Sequence, residues 1–336
     1  MQENKGKGMD MEKIRVGVVG YGNLGRGVLH ALSQCEDMET VALFSRRDPS
    51  ALAPEWNVKK DRVENVAKYA GDIDVLILCG GSATDLPVQS PELLKTFHIV
   101  DSFDTHAKIP QHYAALDAVG KESGKVGVLS VGWDPGLFSL ARIYFGAVTP
   151  DGKNETFWGK GVSQGHSDAI RRIKGVKNAV QYTVPKEEAL QSVRSGERKD
   201  LTARQKHLRE CFVVAEDGAD KAEIERTIRE MPNYFADYDV VVHFISEEEL
   251  KRDHSAMPHG GFVCRAANSA NGNAFTMELS LKLGSNPEFT AGVLVAYARA
   301  AHRLGKEGKS GAFTAFDVAP KYLSPLSEEE QRAILL

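Results

Sequence analysis

The chain has no excess of positive charge: 42 lysines and arginines stand against 46 aspartates and glutamates, a formal net charge of −4. A nucleic-acid binder is ordinarily basic, so that class is disfavoured. Cysteine is scarce and scattered. Cys35, Cys79, Cys211 and Cys264 form no CxxC pair, so neither a metal site nor a disulfide framework is indicated. Reduced thiols in a cytoplasmic protein are the plain expectation. No run is long and apolar enough to span a bilayer. The opening "MQENKGKGMDMEK" lacks the apolar centre of a secretory signal. Residues 1–11 read as a disordered extension, and the folded chain is expected to start near Glu12. Repeats and low-complexity tracts are also missing. What remains is an ordinary globular composition, 42% hydrophobic, over 336 residues, enough for one large domain or two modest ones.

Strands and helices alternate in the first part. "KIRVGVVG" (Lys13 to Gly20) is a β-branched run ending in glycine, and "NLGRGVLHALSQ" (Asn23 to Gln34) reads as a helix. Further strands are expected at Glu39 to Ser45, Asp72 to Gly81, His98 to Asp104 and Lys125 to Gly136. Helices are expected near Pro91 to Phe97 and Gln111 to Ser123. This alternation implies an α/β domain over residues 12–134, a Rossmann-like, doubly wound parallel sheet with helices on both faces. After Gly136 the pattern changes to strand-like segments with few helices between them, such as "VKNAVQYTV", "HLRECFVVAED" and "AFTMELSLKLG". A second α+β domain on a mixed sheet is expected over residues 135–308. Its clearest helix is Asn286 to Gly308, and residues 309–336 are expected to pack back onto the first domain.

Gly20-x-Gly22-x-x-Gly25 lies between the first strand and the first helix. The first glycine permits the turn, the second lets a pyrophosphate approach the backbone, and the third lets helix and strand pack closely. The helix N-terminus adds unpaired N–H groups for phosphates. One more absence is specific. The second strand does not end in the aspartate or glutamate that binds the ribose diol of NAD; it ends in Ser45-Arg46-Arg47. A hydroxyl and two guanidiniums suit a 2′-phosphate, so NADP is the expected cofactor. "CGGSATD" (Cys79 to Asp85) follows the third strand with small residues and hydroxyls suited to close cofactor approach. Cys79 reads as a packing residue, since no basic partner that would activate it is evident nearby.

Asp104 and Asp134 follow the fourth and fifth strands, at the sheet end where ligands bind in open α/β folds. Either they hold a substrate ammonium, or they are turn and capping aspartates; Asp101 reads as structural. "TFWGKGVSQGHSDAIRR" (Thr156 to Arg172) combines aromatics, a glycine-rich turn and a helix start, and His166 reads as a helix-start residue rather than a proton carrier. Thr183, Arg209 and His259 lie on or beside predicted strands. An arginine and a histidine meeting in one pocket would suit a substrate carboxylate.

The stretches "VGYGNLGRG", "FSRR", "CGGSATD", "GWDPG", "TFWGKGVSQGHSDAIRRIKGV", "AVQYT", "CFVV", "MPHGG" and "AAHR…GKSGAFT" resemble the meso-diaminopimelate D-dehydrogenases, from about Lys13 to Pro325. The resemblance implies NADP-dependent oxidative deamination of the D-centre of meso-2,6-diaminopimelate to L-2-amino-6-oxopimelate, which cyclises to tetrahydrodipicolinate. The reverse reaction serves lysine and peptidoglycan synthesis. It implies a cytoplasmic homodimer in which the second domain also dimerises. It assigns the cofactor region to Tyr21, Asn23 and Leu24 beside the three glycines, to Ser45, Arg46 and Arg47, and to Cys79, Gly80, Gly81 and Ser82. Ser102, Phe103, Asp104, Val131, Gly132, Trp133, Asp134 and Pro135 complete that region. It assigns substrate binding to Asp104, Asp134, Trp158, Gln164, Gly165, Thr183, Arg209, His259 and Asn286, with Asp104 and Asp134 flanking the reacting amino group. Gly80 departs from the family, which often has methionine there. Two other readings of the same architecture are a homoserine- or aspartate-type oxidoreductase and a non-catalytic NADP-binding regulator.

Overall fold

Val75, Leu76, Ile77 and Leu78 are all 0% exposed. A strand covered on both faces demands this, and it is why this part of the chain reads as an unbroken apolar run. The computed structural model describes residues 12–336, so the extension expected over residues 1–11 lies outside the described residues. The chain separates into two compact units, one running to Leu140 and resuming over Pro287–Leu336, the other Ala141–Asn286.

In chain order the first elements are β1 (Ile14–Val19), α1 (Asn23–Ser33), β2 (Met38–Ser45), β3 (Lys59–Arg62), β4 (Val75–Leu78), α2 (Leu86–Leu94), β5 (His98–Asp101), α3 (Ile109–Ser123), β6 (Val126–Val128) and α4 (Leu137–Val148). The second unit then carries β7 (Gly152–Trp158), β8 (Gly161–Val162), α5 (Gln164–Arg171), β9 (Val176–Pro185), α6 (Glu187–Arg194), α7 (Ala203–Lys206), β10 (His207–Ala215), α8 (Lys221–Glu230), β11 (Asp239–Phe244), α9 (Glu247–Asp253), β12 (His259–Asn268) and β13 (Ala274–Leu283). The chain closes with α10 (Asn286–Lys306), β14 (Gly311–Phe313) and α11 (Glu328–Leu335).

The first unit holds a seven-stranded sheet in the order β14-β6-β5-β4-β1-β2-β3, with every neighbouring pair parallel. The order reverses direction between β1 and β4. Such a switch point is where a doubly wound sheet opens a crevice for a ligand. Two of these strands escaped the sequence reading. β3 is "KKDR" and β14 only "GAF", too charged and too short to carry an apolar signal. Both are edge strands, and charge on an edge also blocks pairing with other chains.

The sequence expectation places α10 in the second domain; the structure corrects this. Ala291, Leu294, Val295, Ala298 and Ala301 recur at helical spacing and join the core of Val28, Leu29 and Leu32 from α1. Small residues set the approach, since a side chain on Gly27 would lie 3.1 Å from Ala291 Cβ. The unit boundaries therefore fall at 140 and 286 rather than at 134 and 308. Arg299 of α10, 4% exposed, donates to Asp37 at 2.6 and 2.9 Å. Burial alone would raise the Asp37 pKa, but the guanidinium more than offsets it and holds the carboxyl below its usual value.

The second unit has two sheets. In β11-β10-β9-β8, β10 runs parallel to β11 and antiparallel to β9. The other, β13-β12-β7, is antiparallel. Helices are more frequent than the sequence reading expected; they are short, and three of them, α7, α8 and α9, carry side-chain caps. Asp220 accepts from Ala222 N and Glu223 N at the start of α8, and Ser246 forms a capping box with Glu249 at α9.

Candidate active site

The turn after β1 brings the glycine motif to the switch point. Gly20 has φ +104°, and a side chain on Gly25 would collide with Gly20 O, so these two positions require glycine. A Cβ on Gly22 would meet nothing within 4 Å. Beside this turn lies a cavity of about 460 Å³ whose lining includes Gly20, Tyr21, Gly22, Ser45, Arg46, Arg47, Cys79 and Gly80. Two further lining residues, Arg26 and Asp85, were not among the sequence candidates. Arg46 is gripped by Asp85, with contacts of 2.9 and 3.2 Å. Arg47 donates to Tyr21 O, and its backbone N–H donates to the buried Ser45 hydroxyl at 3.1 Å. Arg26 and Arg47 both lie over the Tyr21 ring, 5.9 Å from its centroid. Asp85 also accepts from Gly81 N at 3.1 Å, and it sits so near Gly80 that a Cβ there would be 2.7 Å from Asp85 Cβ. Burial pushes the Cys79 thiol up to about 12, so it stays a neutral packing group.

At the ends of β5 and β6 a buried carboxylate organises the loops. Asp101, 0% exposed, accepts from Ser90 Oγ at 2.7 Å, Phe103 N at 3.1 Å and Ser130 N at 3.1 Å, and pairs with His112 Nε2 at 2.8 Å. Asp104 is exposed, and its N–H donates to Ser82 Oγ at 3.0 Å, tying two candidate loops together. Ser102 is half-buried beside it, and Asp134 and Pro135 are half-buried at the start of the turn into α4. Phe103 and Val131 are 1% and 0% exposed, so what they can offer a ligand is main chain. Gly132 and Trp133 are held by α4, whose Leu137 and Phe138 N–H groups donate to their carbonyls at 3.1 and 2.8 Å.

In the second unit the antiparallel register of β9 and β10 pairs Thr183 with Arg209, and Arg209 Nη1 donates to Thr183 Oγ1. The guanidinium lies 3.9 Å from the centroid of the Tyr238 ring. Arg209 is 8% exposed, and burial lowers its pKa while Tyr238 opposes the shift. His259, first in β12, approaches the same strands: a Cβ on Gly161 of β8, which pairs with Thr183 of β9, would lie 2.7 Å from His259 Nδ1. Trp158 ends β7 at 37% exposure. Gln164 and Gly165, both exposed, open α5. Asn286 N donates to the carbonyl of Met257, the first residue of the "MPHGG" stretch, at 3.0 Å. The second unit thus joins Thr183 to Arg209 directly and brings His259 against Gly161, the strand partner of Thr183.

Residues 132–285 match the family model of the diaminopimelic acid dehydrogenase C-terminal domain. A curated relative, the meso-diaminopimelate D-dehydrogenase of Ureibacillus thermosphaericus, is 60% identical over 97% of this chain and 100% of its own length. The chain belongs to the meso-diaminopimelate D-dehydrogenase family. Within that family, a solved mutant from Clostridium tetani with DAP superposes with a TM-score of 0.92 at 52% identity, covering 96% of this chain and 100% of that one. Its six substitutions replace a glutamine, a threonine, an arginine, a proline, a histidine and an asparagine. An engineered D-amino acid dehydrogenase bound to NADP+ superposes at 0.84 with 45% identity, covering 96% and 100%.

The residues present fit the phosphorylated dinucleotide of the NADP-bound relative. The cavity carries three guanidiniums and one carboxylate, and the space over Gly22 is open to a pyrophosphate. Arg26 was legible in principle, being the residue directly after the third glycine. Tyr238 was not, because only the pairing of β11 with β10 carries it to Arg209.

Buried neutral histidines give this family member a pH signature. Burial lowers His98 and His166 to about 4 and His207 to about 3, with the Arg209 charge adding to the shift of the last two. An unfolded histidine titrates near 6.5. Above that value both states are neutral and nothing is lost. Below it the unfolded chain takes up protons that the folded chain refuses, down to about pH 4. Stability should therefore fall from pH 6.5 to 4 by at most about 1.4 kcal/mol per pH unit for each histidine. Urea denaturation across that range measures it, and an unchanged midpoint would contradict the neutral assignment. Asp37, whose pKa is depressed, contributes stability that is present above the ordinary carboxylate value and is lost as pH falls through it towards the lower folded value.

Proposed function

We infer that this protein catalyses the NADP-dependent, reversible oxidative deamination of the D-centre of meso-2,6-diaminopimelate to L-2-amino-6-oxopimelate and ammonia. The observation that carries the reading is the buried Arg209–Thr183 pair. It is a preformed carboxylate receptor in a chain whose dinucleotide motif ends in arginines instead of an acid. The C. tetani substitutions support the assignment, since the same residue types stand here at the same relative spacing, as Gln164, Thr183, Arg209, Pro258, His259 and Asn286.

Arg209, Thr183 and His259 take the carboxylate of the L-centre, with Trp158, Gln164, Gly165 and Asn286 beside it. Asp104 and Asp134 flank the D-amino group, and a base takes its proton as the hydride leaves. Bound NADP+ accepts the hydride. The protein contributes orientation and electrostatics. Holding the far carboxylate explains the stereochemical choice, because exchanging the two centres presents the wrong face of the reacting carbon. Water then hydrolyses the imine and ammonia leaves. A homodimer in the cytoplasm belongs to the same reading. Ile143, Tyr144, Val148 and Phe275 of the second unit are exposed apolar residues that a second copy would cover, and four free thiols suit a reducing compartment.

The test is a substrate panel. NADPH formation should be seen with meso-diaminopimelate and be weak or missing with the LL- and DD-isomers, homoserine and simple D-amino acids. Comparable rates on homoserine would favour the other oxidoreductase reading. NADPH binding with no turnover on any of them would favour the regulator.

A further inference from the structure

The segment Trp158–Gly159 is the point where the elements of the second unit's substrate residues meet. Gly159 N donates to Gly260 O at 2.8 Å, beside His259. Gly159 packs so tightly on Thr183 O that a side chain there would collide with it. Trp158 N donates to His207 Nε2 at 2.9 Å. His207 is therefore the side chain that anchors this junction, and its strand position explains how. On β10 the inward face carries His207, Arg209 and Cys211 in alternation. The strand that presents the carboxylate-binding arginine thus also presents, two residues earlier, the acceptor for Trp158.

The ring does more than accept one bond. His207 and Trp158 stack at 5.5 Å with 26° between their planes, and Phe157 lies at 6.1 Å from the imidazole. His207 is 2% exposed and Trp158 37%, so the histidine backs the indole from the protein side and leaves the indole part-exposed. With Nε2 accepting, the proton sits on Nδ1, and protonating Nε2 would break the bond to Trp158.

We propose that His207 is a positioning residue for substrate recognition, fixing the main chain and ring plane of Trp158 relative to Arg209 and Thr183. The proposal rests on the reading that Trp158 and Arg209 bind substrate. In this role the imidazole acts through Trp158, by the bond to its N–H and the stacked ring.

The test compares three variants of the full-length protein. His207→Leu keeps the bulk and removes the acceptor. Its KM for meso-diaminopimelate should rise about tenfold, the worth of one buried hydrogen bond, while kcat stays within about threefold. NADPH affinity should not change. His207→Gln places its carboxamide oxygen near the Nε2 position and should restore KM. The shorter His207→Asn should not. A folded His207→Leu with wild-type KM overturns the proposal, as does a parallel loss of kcat, KM and NADPH binding, the mark of a merely structural role. Should His207→Leu not fold, the Gln and Asn variants decide, and equal KM values overturn it. Arg209→Lys is run alongside. If it leaves KM unchanged, the substrate-site reading itself has failed; if only His207→Leu leaves KM unchanged, the failure belongs to His207 alone.

Discussion

Replacing Arg46 and Arg47 together by alanine is expected to weaken NADPH binding about a hundredfold and to leave NADH binding nearly unchanged. Each guanidinium offers charge-assisted bonds to a 2′-phosphate, typically worth about 1.5–3 kcal/mol. The Arg46 side chain is 68% exposed, so solvent screening argues for the lower figure, and two such contacts come to about 3 kcal/mol or a hundredfold. Asp85 adds to the effect. In the native protein its carboxylate is neutralised by Arg46 at 2.9 Å; in the double variant it remains in the same cavity as an unpaired negative charge facing a dianion. The loss should shrink with added salt, which screens exposed charges. Titrating NADPH and NADH by nucleotide fluorescence at two ionic strengths measures all of this, and an unchanged NADPH/NADH affinity ratio would remove the two arginines from the cofactor site.

Arg209→Ala should raise KM for meso-diaminopimelate by roughly two to four orders of magnitude, from the loss of two charge-assisted bonds in a buried setting. Burial separates this case from the surface arginines. Arg209 is 8% exposed, stacked on Tyr238 at 3.9 Å and bonded to Thr183. Its interaction with a carboxylate is little screened, and its fork is already oriented. In the proposed binding mode the contact is made to the end of the substrate that does not react and forms in ground and transition states alike, so kcat at saturation should fall much less than kcat/KM. Arg209→Lys keeps the charge without the bidentate fork and should fall between. The penalty should be confined to substrates that carry the second carboxylate. Steady-state kinetics on meso-diaminopimelate and a simple D-amino acid reads the difference; a KM that barely moves would show that the carboxylate binds elsewhere.

Much of the first unit was legible because its signals are local. The turn at Gly20 to Gly25 must be built from consecutive residues, and buried parallel strands such as β4 are apolar without interruption. The edge strands β3 and β14 were missed for the converse reason: pairing to β2 and β6 defines them, not their own composition. The helix α10 was found, but its unit was misjudged, since an amphipathic stripe says that a helix buries one face and not against what.

The sequence by itself determined the chemistry on offer: a dinucleotide turn, arginines where an acid would select NAD, a set of polar residues matching one family, and no feature of a membrane-spanning helix or zinc site. Those are matters of residue type and short spacing, which the chain carries without folding. Only the tertiary structure decided which of these groups meet. Thr183 and Arg209 lie 26 positions apart and touch through the β9–β10 register. Asp85 reaches Arg46 across 39 positions. His207, which reads as an unremarked strand residue, holds the N–H of Trp158 from 49 positions away. Strand register and helix packing are set by the summed burial of many side chains, and no short stretch of sequence contains that sum.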